Sequence, residues 1–514
     1  MDALPNSTSH KTLFLNTTAF TICFAVWMLN GVLVTFLAAN EVFDWGPVEV
    51  GWLMGIPVLT GAIFRLPAGV LTDKYGGKPI FGALLLLCAI PMFLLSYANS
   101  FWQFALCSFG FGFAGTGFSI GIAYTSVWYP RKNQGFALGI FGAGNAGAAA
   151  TTLVAPSLLL KWTNGGHDLD AWRRLPVAYA VLLLVTGALF LLLSTNKRPD
   201  APARSVAKML EPLKSVRVWR FGLYYFLVFG CFVAFSQWLV PYFVNVYQMS
   251  LVTAGLLAAL FSFPSGIIRA LGGWMSDKWG ARKVMLYVLW ASCLISLALI
   301  VPRMEVFSPG RGVMALMPGE VTEVSPTSVK VGERSYALTQ SPGTLKKPER
   351  DLVVFPTKEM WQEPVVKVGD PVEKRQLLAR GVTRIFFQAN VWIFAALVIA
   401  LGSIWGIGKA AVYKYIPDYF PTQVGVVGGM VGVLGGLGGF FCPILFGYLL
   451  EGTGLWTSCW MLMFGVSLVC LMWLQRVVRR MTAKAAPQIT DDFEEPVAAL
   501  HKMTGPQNER SASS

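Results

Sequence analysis

Twelve apolar runs, each near the roughly 20 residues a helix needs to cross a bilayer, constrain this chain more than any other feature. They fall at 13–39, 47–72, 79–97, 101–128, 135–161, 174–195, 219–246, 250–275, 284–302, 386–415, 423–450 and 455–475. Hydrocarbon offers no hydrogen-bond partners, so each run must satisfy its own backbone as an α-helix. The expected fold is an all-α membrane protein of twelve transmembrane helices. Composition agrees: 55% of the 514 residues are hydrophobic and 13% charged, against roughly 25% charged in soluble domains. The opening MDALPNSTSHKT has no basic segment and leads into a run too long for a signal peptide. The first run is therefore read as a retained span.

Charge is sorted by loop. Loops 2–3 (Lys74, Lys78), 4–5 (Arg131, Lys132), 6–7 (Lys197, Arg198, Arg204, Lys208, Lys214, Arg217) and 8–9 (Lys278, Arg282, Lys283) are basic. The tail opens with Arg476, Arg479 and Arg480, whereas loop 1–2 carries Glu41, Asp44 and Glu49. The positive-inside rule then puts both termini in the cytoplasm, with the chain in the plasma (inner) membrane. The net charge of +14 serves orientation and implies no nucleic-acid partner. Eight cysteines lie in apolar runs with no CxxC pair; they read as small packing residues, and neither a metal nor a cofactor is expected. The domain plan is a six-helix bundle 1–195, a cytoplasmic linker 196–218, helices 7–9 in 219–302, an insert 303–385, helices 10–12 in 386–475 and a cytoplasmic tail 476–514.

The two halves repeat. GVLTDKYGGK (69–78) and GWMSDKWGARK (273–283) align, and four residues before each stands an arginine inside an apolar run, Arg65 and Arg269, 204 residues apart. Gly51–Leu53 matches Gly255–Leu257 at the same offset, and WYPRKNQG and YFPTQVG occupy corresponding loops. A parallel repeat of six-span halves implies two bundles with a site between them near the midplane. Arg65 lies eight residues before Asp73, about 12 Å along a helix and too deep for easy snorkelling in a roughly 30 Å core. Such a charge costs about 2.5–3.5 kcal/mol on insertion scales, so two at matching depth indicate a shared site. No Asp or Glu lies well inside any span, and no His. Buried charges need partners, and a diffusible anion is the expected one. At about 4 Å each arginine would attract a monovalent anion by about 4 kcal/mol at an effective dielectric near 20. A guanidinium can also donate two parallel bonds to an oxyanion.

The paired loop motifs resemble those of the major facilitator superfamily, whose fold is two six-helix bundles. The stretch GFGFAGTGFSIGIAYTSVWYPRKNQGFALGIFGAGNAGAAATTLVAP (110–156) is similar to spans 4–5 of the nitrate/nitrite porters, with their glycine-rich run and asparagine at Gly142-Ala143-Gly144-Asn145-Ala146-Gly147. GVLGGLGGF (432–440) has the glycines of the second-half signature without an asparagine. The likeness covers both halves but not 303–385. It implies that Arg65 and Arg269 are the anion-binding pair, that Asn145 is the signature asparagine, and that Phe118, Tyr225 and Phe229 pack around the anion. On residues alone, Tyr225 and Phe229 share a helix face that reads first as core- or lipid-facing. The glycines read as helix contacts, with Gly142 and Gly144 nearest the substrate. Asp73, Lys74, Asp277 and Lys278 form an interfacial charge cluster; the resemblance makes them a latch between the halves when the cytoplasmic side is closed.

Nitrate and nitrite are small and planar and suit two facing guanidinium forks, although phosphate esters also suit arginine pairs. A proton-coupled porter needs a titrating group in its pathway, commonly Asp, Glu or His. With none evident, nitrate/nitrite exchange is expected over proton-coupled nitrate symport, with organophosphate/phosphate antiport a further alternative. No nucleophile–base or metal constellation suggests an enzyme, and a monomer is expected. The insert, 303–385, should lie outside the cytoplasm. Alternation in VVKVGDPVEKRQLLARG (365–381) and SVKVGERSYAL (328–338) predicts β structure with turns. These phrases resemble small barrel-sandwich domains that carry lipoyl or biotinyl groups, but the modifiable lysine between two methionines is absent.

Overall fold

All twelve runs form helices in the computed structural model. It describes residues 7–198, 211–300, 303–341, 357–388, 390–420 and 424–485. The middle of the 196–218 linker, part of the insert and most of the tail after 476 lie outside the described residues. The spans are α1 (Ser7–Ala39), α2 (Pro47–Ile63 continued by Arg65–Tyr75), α3 (Gly77–Tyr97), α4 (Phe101–Trp128), α5 (Ala137–Trp162), α6 (Leu169–Leu193), α7 (Val216–Tyr247), α8 (Leu251–Trp279), α9 (Ala281–Leu299), α10 (Val391–Ile416), α11 (Val426–Thr453) and α12 (Ser458–Met481). The repeat extends to backbone conformation. Gly76 and Gly280, at φ +90° and +84°, end α2 and α8 at matching points of the two loop motifs. That region of φ is open to glycine and strained for residues with a Cβ.

The halves meet through glycines. Away from the loop motifs, α2 lies directly on α11: a methyl on Gly55 would sit 2.7 Å from the Phe440 carbonyl oxygen, and Gly51 and Gly447 press on Pro443 and Pro47. Gly255 of α8 presses in the same way on Thr152 of α5. Toward the motifs the contact ends. Gly69, one turn beyond Arg65, Gly273, one turn beyond Arg269, and Gly139, one turn before Gly142, have nothing within 4 Å of a Cβ position among the described residues. The interface is thus shut at one end and parted at the motif end.

The insert is two small sheets. Strands β1 (Arg303–Met314), β5 (Thr357–Pro364) and β7 (Leu377–Gln388) form one in the order β1-β7-β5. The second has the order β4-β3-β2-β6, from β2 (Gly319–Val324), β3 (Ser328–Val331), β4 (Arg334–Ala337) and β6 (Pro371–Val372). Val321, Val329, Tyr336, Val366 and Leu378 belong to a core of its own. The two echoing phrases share a turn glycine at positive φ, Gly332 and Gly369, but only the first is a strand throughout its apolar part. One boundary needs correction. Residues 386–388, assigned to span 10, belong to β7, which pairs antiparallel with β1 from Arg303↔Gln388 onward. A short apolar run does not by itself separate strand from helix, and α10 starts only after Asn390, whose Oδ1 accepts from the Trp392 amide at 2.8 Å.

Candidate functional site

Several spans break α-helical geometry, and Arg65, Phe118, Asn145, Tyr225 and Phe229 lie at or beside such breaks, whereas Arg269 stands on the unbroken helix α8. α2 bends by 40° at Phe64, so Arg65 opens its second segment. Pro67 accounts for the bend: it lacks an N–H and its ring crowds the carbonyl of Ile63, four residues back. α4 tightens to a 3₁₀ turn at Gly112–Thr116, just ahead of Phe118. α5 does the same at Ala143–Ala146, which holds Asn145. α7 widens to a π turn at Phe226–Cys231, which holds Phe229 and follows Tyr225. Such breaks recur at functional sites because they free backbone groups and re-aim side chains.

The two arginines converge on one ring. The Phe118 centroid lies 5.5 Å from the Arg65 guanidinium carbon and 6.0 Å from that of Arg269. Each arginine meets an aromatic ring of the opposite half: Arg65 also lies 5.3 Å from Phe229, and Phe118 belongs to the half that lacks Arg269. Trp27 and Tyr413 complete the rings, 5.7 Å from Arg65 and 5.6 Å from Arg269. Tyr225 stacks on Phe229 at 4.9 Å and 9° and meets Tyr413 edge-on at 5.1 Å. Ring faces are negative and attract cations, by about 0.5–2 kcal/mol each, but they cannot satisfy N–H donors directed away from them. Arg65 is 2% exposed; its Nη1 donates to the Gly432 carbonyl at 2.9 Å. Its Nε and Nη2 have no partner among the described residues, nor has Asn145 Oδ1. Arg269 is half-buried. The glycines of α11 permit this arrangement: a methyl on Gly436 would stand 3.6 Å from Arg65 Nη1, and Gly435 lies against the Tyr225 ring.

A third cation belongs to the cluster and was not singled out from sequence. Lys409 of α10 is 1% exposed. Its Nζ donates to Ser265 Oγ at 2.8 Å, one turn before Arg269 on α8. The same nitrogen lies 3.1 Å from the Phe232 ring centroid and 5.9 Å from that of Phe229. The signal that marked the arginines, a lone charge deep in an apolar run, also marks Lys409. A basic group offers the arginines no counter-charge. No Asp or Glu is among the buried residues described.

The remaining expected residues divide. Gly142 is at the site, its Cβ position 3.9 Å from Arg269 Nη1. Gly144 is not: it lies against Phe20 and 3.2 Å from the Thr17 carbonyl oxygen of α1, a helix contact. The motif charges stand at the parted end. Asp277 pairs with Lys414 of α10 at 2.6 Å, inside its own half, so in this conformation that contact does not bridge the halves. Lys74 and Lys278 lie over Tyr75 and Trp274, each at 5.1 Å.

Comparison with known proteins gives a consistent picture. Residues 15–317 match the Major Facilitator Superfamily model. A probable nitrate/nitrite antiporter, NarK1, of Thermus thermophilus is 37% identical over 94% of this chain and 95% of its own. The nitrite extrusion protein of Bacillus subtilis is 25% identical over 90% and 94%. Among solved structures, a bacterial homologue of the human lysosomal transporter Spinster covers 92% of this chain and 97% of its own, with TM-score 0.60 and 13% identity.

Proposed function

Because the chain belongs to the major facilitator superfamily and, within it, to the nitrate/nitrite porters, we propose that it exchanges nitrate and nitrite across the inner membrane by alternating access. The observation that carries the reading is the pair of guanidinium groups, one from each half, on the shared ring of Phe118. A small planar anion can take the Nε and Nη2 donors of Arg65 in a bidentate pair, with Arg269 on the same Phe118 ring as a second donor. Rings at 5.3–5.7 Å on Arg65 favour such an anion over a bulky organic phosphate. The NarK1 relative bears the name of a nitrate/nitrite antiporter.

Both termini and the motif end are assigned to the cytoplasm from the basic loops, so the parted interface is an inward opening. Closing it would bring Gly69 and Gly273 against the opposite half, as Gly51 and Gly255 are now. Asp73, Lys74, Asp277 and Lys278 would then re-pair across the halves. Counterflow in proteoliposomes tests the exchange. Labelled nitrate outside should accumulate against internal nitrite or nitrate, and not against phosphate or buffer alone. Accumulation driven by a pH gradient with no internal anion would instead establish proton-coupled symport.

A further inference from the structure

We propose that Lys409 is the proton-binding group of the anion site: neutral before the anion enters, protonated while the anion is held, so that anion and proton bind together. The inference rests on the anion-site reading above and deepens it.

The placement carries the argument. The Phe229 ring joins Lys409 to Arg65, at 5.9 and 5.3 Å, and Ser265 joins it to the Arg269 face of α8. Three basic side chains thus share one cluster of rings, Phe118, Phe229 and Phe232. Guanidinium groups stay protonated at any physiological pH, whereas an ammonium can release its proton. The partner of Lys409 is suited to both states. A serine hydroxyl accepts from an ammonium and donates to a neutral amine, where a carboxylate would hold the charge in place. The Phe232 ring at 3.1 Å supports the charged form when it is present. The charged and phenolic groups that share its aromatic neighbours are Arg269 on α8, Arg65 on α2, Tyr225 on α7 and Tyr413 on α10 itself. The carboxylates on its own and the adjoining helix, Asp418 and Asp277, lie toward the motif end, where Asp277 is paired with Lys414, and the phenols are neutral near pH 7.

The proton comes from solvent, adds to the Nζ lone pair as the anion binds, and returns to solvent on release. In exchange it accompanies the anion in both directions, and the cycle is proton-neutral.

The test is calorimetric titration of the full-length purified protein with sodium nitrate, from pH 6 to 9, in two buffers of different ionisation enthalpy. The expected result is an uptake approaching one proton per nitrate. Kd should rise about tenfold per pH unit above the pH at which the amine loses its proton. Lys409→Met should abolish the uptake and flatten the pH dependence; Lys409→Arg should bind with the same flat profile. Nitrate binding by the wild type with no proton uptake anywhere in the range overturns the proposal, as does uptake retained by a monodisperse Lys409→Met. If that variant does not fold, the wild-type buffer pair still decides. Absence of nitrate binding altogether overturns the anion-site reading, and the proposal with it.

Discussion

Arg65 and Arg269 sit at matching sequence positions but are held differently. Arg65 is buried and tied across the halves to the Gly432 carbonyl, while Arg269 is half-buried at the parted end. Lysine at either position keeps the charge and loses the planar fork. A charged hydrogen bond contributes about 1.5–3 kcal/mol, so Arg65→Lys and Arg269→Lys should each raise the nitrate Kd by about 10- to 100-fold. Size-exclusion profiles should stay unchanged. Unaltered affinity in both variants would refute the fork argument. The arginines were legible because a full charge deep in an apolar run is costly wherever it occurs. Lys409 meets the same criterion, but as a further basic group it supplies no counter-charge to the arginines. Trp27 and Tyr413 left no signal, since aromatic residues in spans usually pack in the core or against lipid.

At the scale of elements, Arg65, Phe118, Asn145 and Phe229 are presented where helices stop being regular, while Arg269, Lys409 and Tyr413 come from unbroken helices. The bend in α2 is traceable to Pro67, which the sequence displays. The 3₁₀ turns of α4 and α5 fall in glycine-rich runs, where close backbone approach rather than side-chain packing decides geometry. The π turn of α7 has no marker in the sequence. Glycines that looked alike also separate into two kinds. Gly144→Ala must push a methyl into Phe20 and toward the Thr17 carbonyl. It should destabilise the protein by about 1–3 kcal/mol, the usual cost of overpacking, seen as a lower melting temperature. Gly142→Ala meets nothing closer than Arg269 Nη1 at 3.9 Å. It should melt normally, and its deficit should appear in nitrate affinity. The opposite pattern in the two variants would show that the glycine assignments are reversed.

Across the whole molecule, twelve spans divide into halves that touch tightly at one end and part at the other. A cysteine at Gly273 should react with a water-soluble maleimide added from the motif side, since none of the described residues stands within 4 Å of that position. Protection of that cysteine in every condition would contradict an opening there. The insert has its own core and is joined to the bundle through the β1–β7 pair. Replacing 303–388 by a short polar linker should therefore leave nitrate/nitrite counterflow intact; its loss would make the insert part of the transport cycle. The sequence by itself determined the spans, their basic and acidic loops, the twofold repeat and the paired arginines. Each follows from the cost of exposing backbone or charge to hydrocarbon, which every residue incurs locally. Only the tertiary structure decided that Phe118 lies within about 6 Å of both guanidinium groups, that Lys409 shares their rings, that Asp277 pairs within its own half, and which end of the interface is open. Those are relations between helices far apart in the chain, set by how glycine faces pack, and no local free-energy term encodes them.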